Sequence, residues 1–375
     1  MRVALVCDWF LPRPGGIELH LRDLALALRA AGIDARVVTS TVGPSSVDGV
    51  PVHRIAARRF PIGGFACNPA ALRRVRDVLH EEQFDLVHAH ASVVSPVAYA
   101  GAVAAARAGL PSVVTFHSML HRSSLLLGAS EALLGWSGDR VVLSGVSSVV
   151  AAQAARWMPG ASVGVLPNGI DEAFWRLPRR PSQGDVTIVT AMRLSRKKRP
   201  LRLLRAFADA MRFVGGRPPL RLVIAGDGPD RAALGRHAAE LGIADRVSLP
   251  GQLSRAALRT LYAEADFFVL PSERESFGIA ALEARAAGLP VIAMVASGAR
   301  DFIRPGEHGL LARDGEELAR FIARFALDDA LRAYVANRNA TTPTGYDWPE
   351  VVREHVALYA VAARRASGTA PSSQA

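Results

Sequence analysis

The feature that most constrains this chain is a rhythm: short apolar, β-branched runs alternate with longer amphipathic stretches from end to end. Residues 3–7, 35–40, 52–55, 86–90, 112–117, 140–147 and 162–168 form a first series of such runs. A break rich in proline and arginine, LPRRPSQGD at 177–185, interrupts the rhythm. It restarts at 186–192 and continues through 220–226, 247–251, 267–272, 290–294 and 309–313. Continuous apolar strands separated by helices are the signature of parallel sheets covered on both faces. The expected fold is therefore α/β, with two doubly wound, Rossmann-like domains facing a central cleft. The first domain covers 1–170 and is joined by a C-terminal helix over 347–365. The second covers 171–346, and the small polar tail 366–375 is expected to be disordered.

Composition narrows the function classes. Half of the 375 residues are hydrophobic and 21% are charged, which excludes a disordered chain. The net charge of +11 makes a nucleic-acid-binding protein a remote alternative, but aromatic residues are only 6% and the arginines are dispersed, so no nucleic-acid partner is expected. Cys7 and Cys67 cannot build a disulfide framework, and no Cys/His spacing suggests zinc, which fits a cytoplasmic location. The apolar start, Val3 to Cys7, is too short for a signal-peptide core. Residues 86–106 contain no Asp, Glu, Lys or Arg, yet His88, His90, Pro96 and Gly101 split them into a strand and an Ala-rich helix rather than a membrane span.

Three stretches have the residue types of an anion site. In PSERESFG, 271–278, Gly278 stands where a helix begins, so the amides of Phe277, Gly278 and Ile279 face outward at a positive helix end. Glu275 before that helix and Glu283 within it read either as hydroxyl acceptors for a sugar or ribose, or as a capping acid and an exposed helix residue. The loop Arg193-Leu194-Ser195-Arg196-Lys197-Lys198-Arg199 follows a strand at the edge where open α/β sheets bind ligands. Its like charges repel unless an anion neutralises them. The loop reads either as a solvated basic loop or as a phosphate contact; Lys197 and Lys198 are the only lysines among 45 basic residues, which weakens the first reading, because a retained compact ammonium suggests phosphate contact. Third, Pro14-Gly15-Gly16 leads from the first strand into a helix, and reads either as a simple turn or as a place where Gly16 would let backbone approach a ligand.

Other candidates are weaker. Gly226-Asp227-Gly228-Pro229-Asp230-Arg231 has Arg231 where a dinucleotide fingerprint needs glycine, which argues against a nicotinamide enzyme. His88 and His90 read as satisfied structural histidines, whereas His117 closes a strand at its ligand-facing end. The chain has no DxD pair to hold a divalent cation on a diphosphate, so no metal is expected.

Jointly these pieces resemble a family 4 retaining glycosyltransferase with the GT-B fold. The resemblance rests on VCDWFLPRPGGIELH, FDLVHAHAS, VVTFHS, VLPNGID, RLSRKK, VIAGDGPDR, PSERESFGIAALEARAAGLPVIA and EHGLLA, and spans nearly the whole chain. Its N-terminal part is similar to phosphatidylinositol mannosyl- and N-acetylglucosaminyltransferases. The resemblance implies that Arg193 and Lys198, helped by the Gly16 amide, neutralise a GDP- or UDP-sugar diphosphate. It implies Glu275 on the sugar, Glu283 on the ribose, the Phe277–Ile279 amides on phosphate or sugar, and His117 on the transferring sugar. It further implies metal-independent hexosyl transfer to a sugar, lipid or inositol-type hydroxyl with no cofactor, the nucleotide sugar being a substrate. A GT-B nucleotide-sugar epimerase is the alternative. Two departures stand out: Arg199 replaces the glycine common after the lysine, and 296–301 lacks the usual Gly-Gly…Pro-Glu pattern.

A lipid acceptor would bring the chain to the inner face of the plasma membrane. Arg54, Arg58, Arg59, Arg73, Arg74 and Arg76, interrupted by Phe60, Pro61, Ile62 and Phe65, form the candidate surface for peripheral contact with anionic lipid.

Overall fold

The computed structural model describes residues 1–13, 15–55, 69–120, 131, 137–138, 140–158, 160–179 and 184–368. The chain divides into two compact units, Met1–Gly169 with Trp348–Ala375, and Ile170–Asp347.

The first unit is built on β1 (Arg2–Cys7), β2 (Asp34–Thr39), β3 (Ser46–Val47), β4 (Val50–Arg54), β5 (Leu86–Ala91), β6 (Ser112–Phe116), β7 (Val141–Gly145) and β8 (Val163–Val165). Their order across the sheet is β3-β4-β2-β1-β5-β6-β7-β8, parallel throughout except for the β3–β4 hairpin. The helices are α1 (Gly16–Ala30), α2 (Pro69–Glu81), α3 (Pro96–Ala108) and α4 (Ser148–Trp157). Helix α1 places Leu21, Leu24, Ala25 and Leu28 in the core at a helical spacing, over the fully buried Val3 and Leu5 of β1. Each such leucine contributes about 1.5–3 kcal/mol on leaving water. Asp8, just past β1, caps α3 from a distance: its carboxylate accepts from Val97 N at 3.1 Å and Ala98 N at 3.3 Å. Burial pushes its pKa up to about 6, against the lowering effect of those two amides.

The second unit contains α5 (Glu172–Trp175), β9 (Val186–Ala191), α6 (Pro200–Val214), β10 (Leu220–Ala225), α7 (Arg231–Glu240), β11 (Val247–Gly251), α8 (Arg255–Glu264), β12 (Phe267–Leu270), α9 (Ile279–Ala286), β13 (Val291–Met294), β14 (Gly309–Ala312), α10 (Gly315–Leu327) and α11 (Asp329–Thr341). Its sheet, β11-β10-β9-β12-β13-β14, is parallel throughout. The last helix, α12 (Trp348–Ala366), belongs to the first unit and lays Val352, Tyr359 and Ala362 into the core that includes β1 and α1. Strand order reverses between β1 and β5 in one sheet and between β9 and β12 in the other. Such switch points are where doubly wound sheets bind ligands.

Several sequence expectations meet the structure here. Residues 86–106 form β5 and most of α3, and no helix among the described residues is long and apolar enough to cross a membrane. Arg58, Arg59, Phe60, Pro61, Ile62 and Phe65 of the candidate lipid surface lie outside the described residues, as does the tail from 369. Arg54 does not fit an outward-facing cationic surface: it donates to Pro44 O and Thr41 O, both at 2.9 Å. Arg74 pairs with Glu81 at 2.7 Å and Arg76 with Asp77 at 3.0 Å.

Candidate active site

In the second unit the functional candidates flank the β9/β12 switch. Beyond β9 the chain runs through Met192, Arg193 and Leu194 against the loop that follows β10. Leu194 N donates to Asp227 O at 2.8 Å, and Asp230 N donates to Leu194 O at 3.0 Å. The two glycines of this loop are required by that contact. A Cβ on Gly226 would fall 1.9 Å from Met192 O, and one on Gly228 2.3 Å from Leu194 O. The Gly-Asp-Gly stretch that fails as a dinucleotide fingerprint thus holds the Arg193 segment. Arg193 itself is exposed, and its side chain makes no hydrogen bond or ion pair among the described residues.

One cation of the basic loop is neutralised from outside the loop. Residues 196–198 form one 3-10 turn, and Lys198 Nζ lies 2.6 Å from Glu275 Oε2. Arg202, in the first turn of α6, lies 2.6 Å from Glu273 Oε1. Two carboxylates of the 271–278 loop therefore neutralise the opposing cations. Lys197 is held differently: burial and the neighbouring Lys198 charge lower its pKa, and its carbonyl accepts from Ser272 Oγ at 3.3 Å. Arg199 has φ of 59°, the left-handed conformation that a glycine adopts without cost.

Gly278 ends the loop with φ of 97° and starts α9, whose first amides lack intrahelical acceptors. The Phe277 side chain is buried against Phe302 and Tyr346, at ring separations of 5.4 and 5.6 Å, so it anchors the loop while its backbone stays at the helix end. The atypical 296–301 segment supports the same loop, because Gly298 N donates to Glu275 O at 2.8 Å. Glu283, in α9, faces Arg255 Nη2 of α8 at 4.0 Å. Arg255 in turn lies over the rings of Phe174 and Trp175, at 5.4 and 5.6 Å.

In the first unit, Gly16 opens α1, and a Cβ on it meets nothing within 4 Å among the described residues. Its neighbour Gly15 is under the folded-back Glu18 carboxylate, 2.1 Å from where a Cβ would stand. His117 follows β6 and lies in a buried histidine cluster with His20, His88, His90 and His355. Its Nε2 is 2.9 Å from His90 Nδ1, and its ring is 5.8 Å from that of His20. His20 stacks on Trp348 at 5.5 Å. His88 is fully satisfied by Tyr359 Oη at 2.9 Å and Thr115 Oγ1 at 2.7 Å. His90 departs from the structural reading, since its buried Nε2 has no partner among the described residues. Burial holds all five rings neutral: His117 is lowered to about 3 and His355 to about 4, with His20, His88 and His90 well below the usual imidazole range. His20 and His355 carried no sequence signal of their own, each being one polar residue among several on an amphipathic helix. Among the described residues no group of three or more His, Cys, Asp or Glu side chains is arranged to hold a metal ion.

Comparison with known proteins identifies the family of the chain. Residues 14–174 match the family described as Glycosyltransferase Family 4, and residues 171–342 match Glycosyl transferases group 1. A GDP-mannose-dependent alpha-mannosyltransferase of Mycolicibacterium smegmatis is 32% identical over 97% of this chain and 99% of its own. A phosphatidyl-myo-inositol mannosyltransferase of Mycobacterium leprae is 30% identical, over 98% of both chains. Among solved structures, HepE of Anabaena in complex with UDP superposes with a TM-score of 0.78 at 22% identity, covering 96% of this chain and 100% of that one, a likeness of fold.

Proposed function

Given that the chain belongs to glycosyltransferase family 4 and has the GT-B fold, we propose that it moves a hexose from a nucleoside-diphosphate donor to a hydroxyl acceptor with retention of configuration. The observation that carries this reading is the meeting of Lys198 and Glu275 at 2.6 Å beside the amide end of α9. A cation, a hydroxyl-accepting carboxylate and a helix N-terminus in one place match the parts of a sugar diphosphate. The leaving group is a nucleoside diphosphate, so stabilising its developing charge is the main catalytic task. Arg193, Lys198 and the amides of Phe277, Gly278 and Ile279 supply that stabilisation, with the Gly16 amide assisting. Glu275 holds the sugar, Glu283 the ribose, and His117 hydrogen-bonds the transferring sugar. The glycosidic C–O bond to phosphate breaks as the acceptor oxygen bonds to the anomeric carbon on the same face, and the departing phosphate takes the acceptor proton.

The relatives at 32% and 30% identity are a GDP-mannose-dependent enzyme and a phosphatidyl-myo-inositol mannosyltransferase, which supports GDP-mannose as the first donor to test and an inositol-type or lipid hydroxyl as acceptor. Neither is an epimerase, and both names describe transfer. No cofactor or metal is assigned, because side chains and amides supply the charge neutralisation. Thermal-shift screening of GDP, UDP and ADP sugars, followed by transfer assays with and without EDTA, tests this. A shift with one sugar nucleotide and EDTA-resistant transfer are expected. Donor turnover without transfer to any acceptor overturns the transferase reading, and loss of transfer restored by Mg²⁺ overturns metal independence. Flotation with anionic vesicles at modest salt tests membrane contact, and an unbound protein removes it.

A further inference from the structure

His90 and His117 share one hydrogen bond, between His90 Nδ1 and His117 Nε2 at 2.9 Å, at the carboxyl ends of adjacent parallel strands. Both rings are buried and neutral, and a neutral imidazole has one N–H and one lone pair. One ring must therefore donate and the other accept. The choice is decided by the far side of His90, whose Nε2 is buried with no partner among the described residues. If His90 kept its hydrogen on Nε2, a buried N–H would be left unbonded. If the hydrogen is on Nδ1, the unpartnered atom is only a lone pair, the less rare defect in folded chains.

We propose that His90 is a positioning residue whose Nδ1–H donates to His117 Nε2 and thereby fixes His117 as the Nδ1–H tautomer. His117 then offers its ligand a hydrogen-bond donor and no basic nitrogen. The surroundings hold this arrangement. The His88 ring lies 4.0 Å from that of His90 and is itself fixed by Tyr359 and Thr115, and Thr115 Oγ1 is bonded to Ser144 Oγ at 2.7 Å. His20 faces His117 and His355 faces His88, and among the described residues no carboxylate hydrogen-bonds the His90 or His117 imidazole. A second proton on His117 would have to displace the His90 N–H. The tautomer follows from this geometry and the neutrality of the buried rings, without reference to a ligand. Its consequence, that His117 donates to an oxygen of the transferring sugar and takes no proton from the acceptor, rests on the proposed function.

Nitrogen-15 correlation spectra of the imidazoles in the intact, ligand-free protein near neutral pH test the assignment. The expected result is Nδ1–H on both His117 and His90, and an Nε2–H signal on His117 in the wild type overturns the proposal whatever the variants do. His90→Asn keeps an N–H able to donate to His117, whereas His90→Phe keeps the ring and removes the donor. The His117 tautomer should persist in the first and change or become mixed in the second. Turnover should fall about tenfold in His90→Phe and largely recover in His90→Asn, the worth of one buried hydrogen bond. Unchanged His117 spectra in a folded His90→Phe also overturn the proposal. The expected spectra in a protein that binds no sugar nucleotide would sink the proposed function and leave the tautomer standing.

Discussion

Lys198 Nζ and Glu275 Oε2 are 2.6 Å apart, although one follows β9 and the other follows β12. The pair bridges the two loops at the point where strand order reverses. It is partly exposed, so its own contribution to stability is about 0.2–1 kcal/mol and either partner is free to exchange its contact for a ligand's. This sets the expectation for Lys198→Ala. The fold should survive, while loss of a charge-assisted contact that strengthens as the diphosphate departs should cost about 3 kcal/mol, roughly a hundredfold in rate. Lys197→Ala should matter much less, because the bond Lys197 makes to Ser272 uses its carbonyl. Lys198→Arg should recover only part of the loss, since a planar fork is not a point charge. Transfer rates for the three variants, read beside their melting temperatures, check this. Equal turnover in Lys198→Ala and wild type would remove the basic loop from the active site.

Arg199 marks a departure that the backbone explains. Its φ of 59° is the left-handed conformation, which costs a residue with a Cβ about 1–2 kcal/mol, and the next residue, Pro200, opens α6. Glycine here relieves that cost while adding about 0.5–1 kcal/mol of unfolded-state freedom. Arg199→Gly should therefore leave the melting temperature unchanged or slightly raised, with transfer retained. A clear drop in melting temperature would show that the Arg199 side chain, rather than its backbone, is what the loop needs.

The strands were legible because a parallel strand buried on both faces writes a continuous apolar run, as 3–7 and 267–270 do. The Glu275–Gly278 loop was legible because glycine with positive φ is a local requirement, visible without knowing what packs around it. What escaped is what depends on distant chain. Asp8 caps α3 across 89 residues, and His355 reaches the His88 ring from the last helix. The charge partners of Lys198 in the basic loop and of Arg202 in α6 were equally hidden, since Glu275 and Glu273 come from another strand's loop. Gly226 and Gly228 were visible only as an imperfect motif, because their purpose is a backbone approach to residues 192–194.

That approach gives a sharp test. A Cβ on Gly228 would stand 2.3 Å from Leu194 O, a backbone atom that cannot swing aside as a side chain does. Gly228→Ala must push apart the two loops joined by the Leu194–Asp227 and Asp230–Leu194 hydrogen bonds, which moves Arg193. We expect a loss of at least 2 kcal/mol of stability, on the order of a strained backbone site plus a broken hydrogen bond, and a larger fall in donor affinity than Gly235→Ala produces. Gly235 is a fair control because a Cβ there meets nothing within 4 Å. Identical melting and donor binding in the two variants would contradict the role assigned to this loop.

The buried histidines predict the sign of the acid response. His117 and His355 are lowered from 6.5 to about 3 and about 4 by burial, and His20, His88 and His90 are lowered well below 6.5 by the same cause. The unfolded chain therefore binds more protons than the folded one as pH falls below about 6.5, and stability must drop through that window. Each ring kept neutral at pH 5 costs about 2 kcal/mol relative to its unfolded form. Five such rings approach the whole stability of an ordinary domain, about 5–15 kcal/mol. Asp8 works the other way, since its pKa is raised from 3.8 to about 6 and the folded state binds the extra proton between those values. It offsets only about 1 kcal/mol near pH 5. Melting temperature should thus hold from pH 8 to 6.5 and fall steeply towards pH 4.5. His355→Phe removes one proton uptake, and the only hydrogen bond of its ring among the described residues runs from Nδ1 to Val351 O within the same helix. That variant should start from a lower melting temperature at pH 8 and lose less of it on acidification. A melting temperature that rises between pH 6.5 and 4.5 would mean that the five rings are already charged in the folded chain.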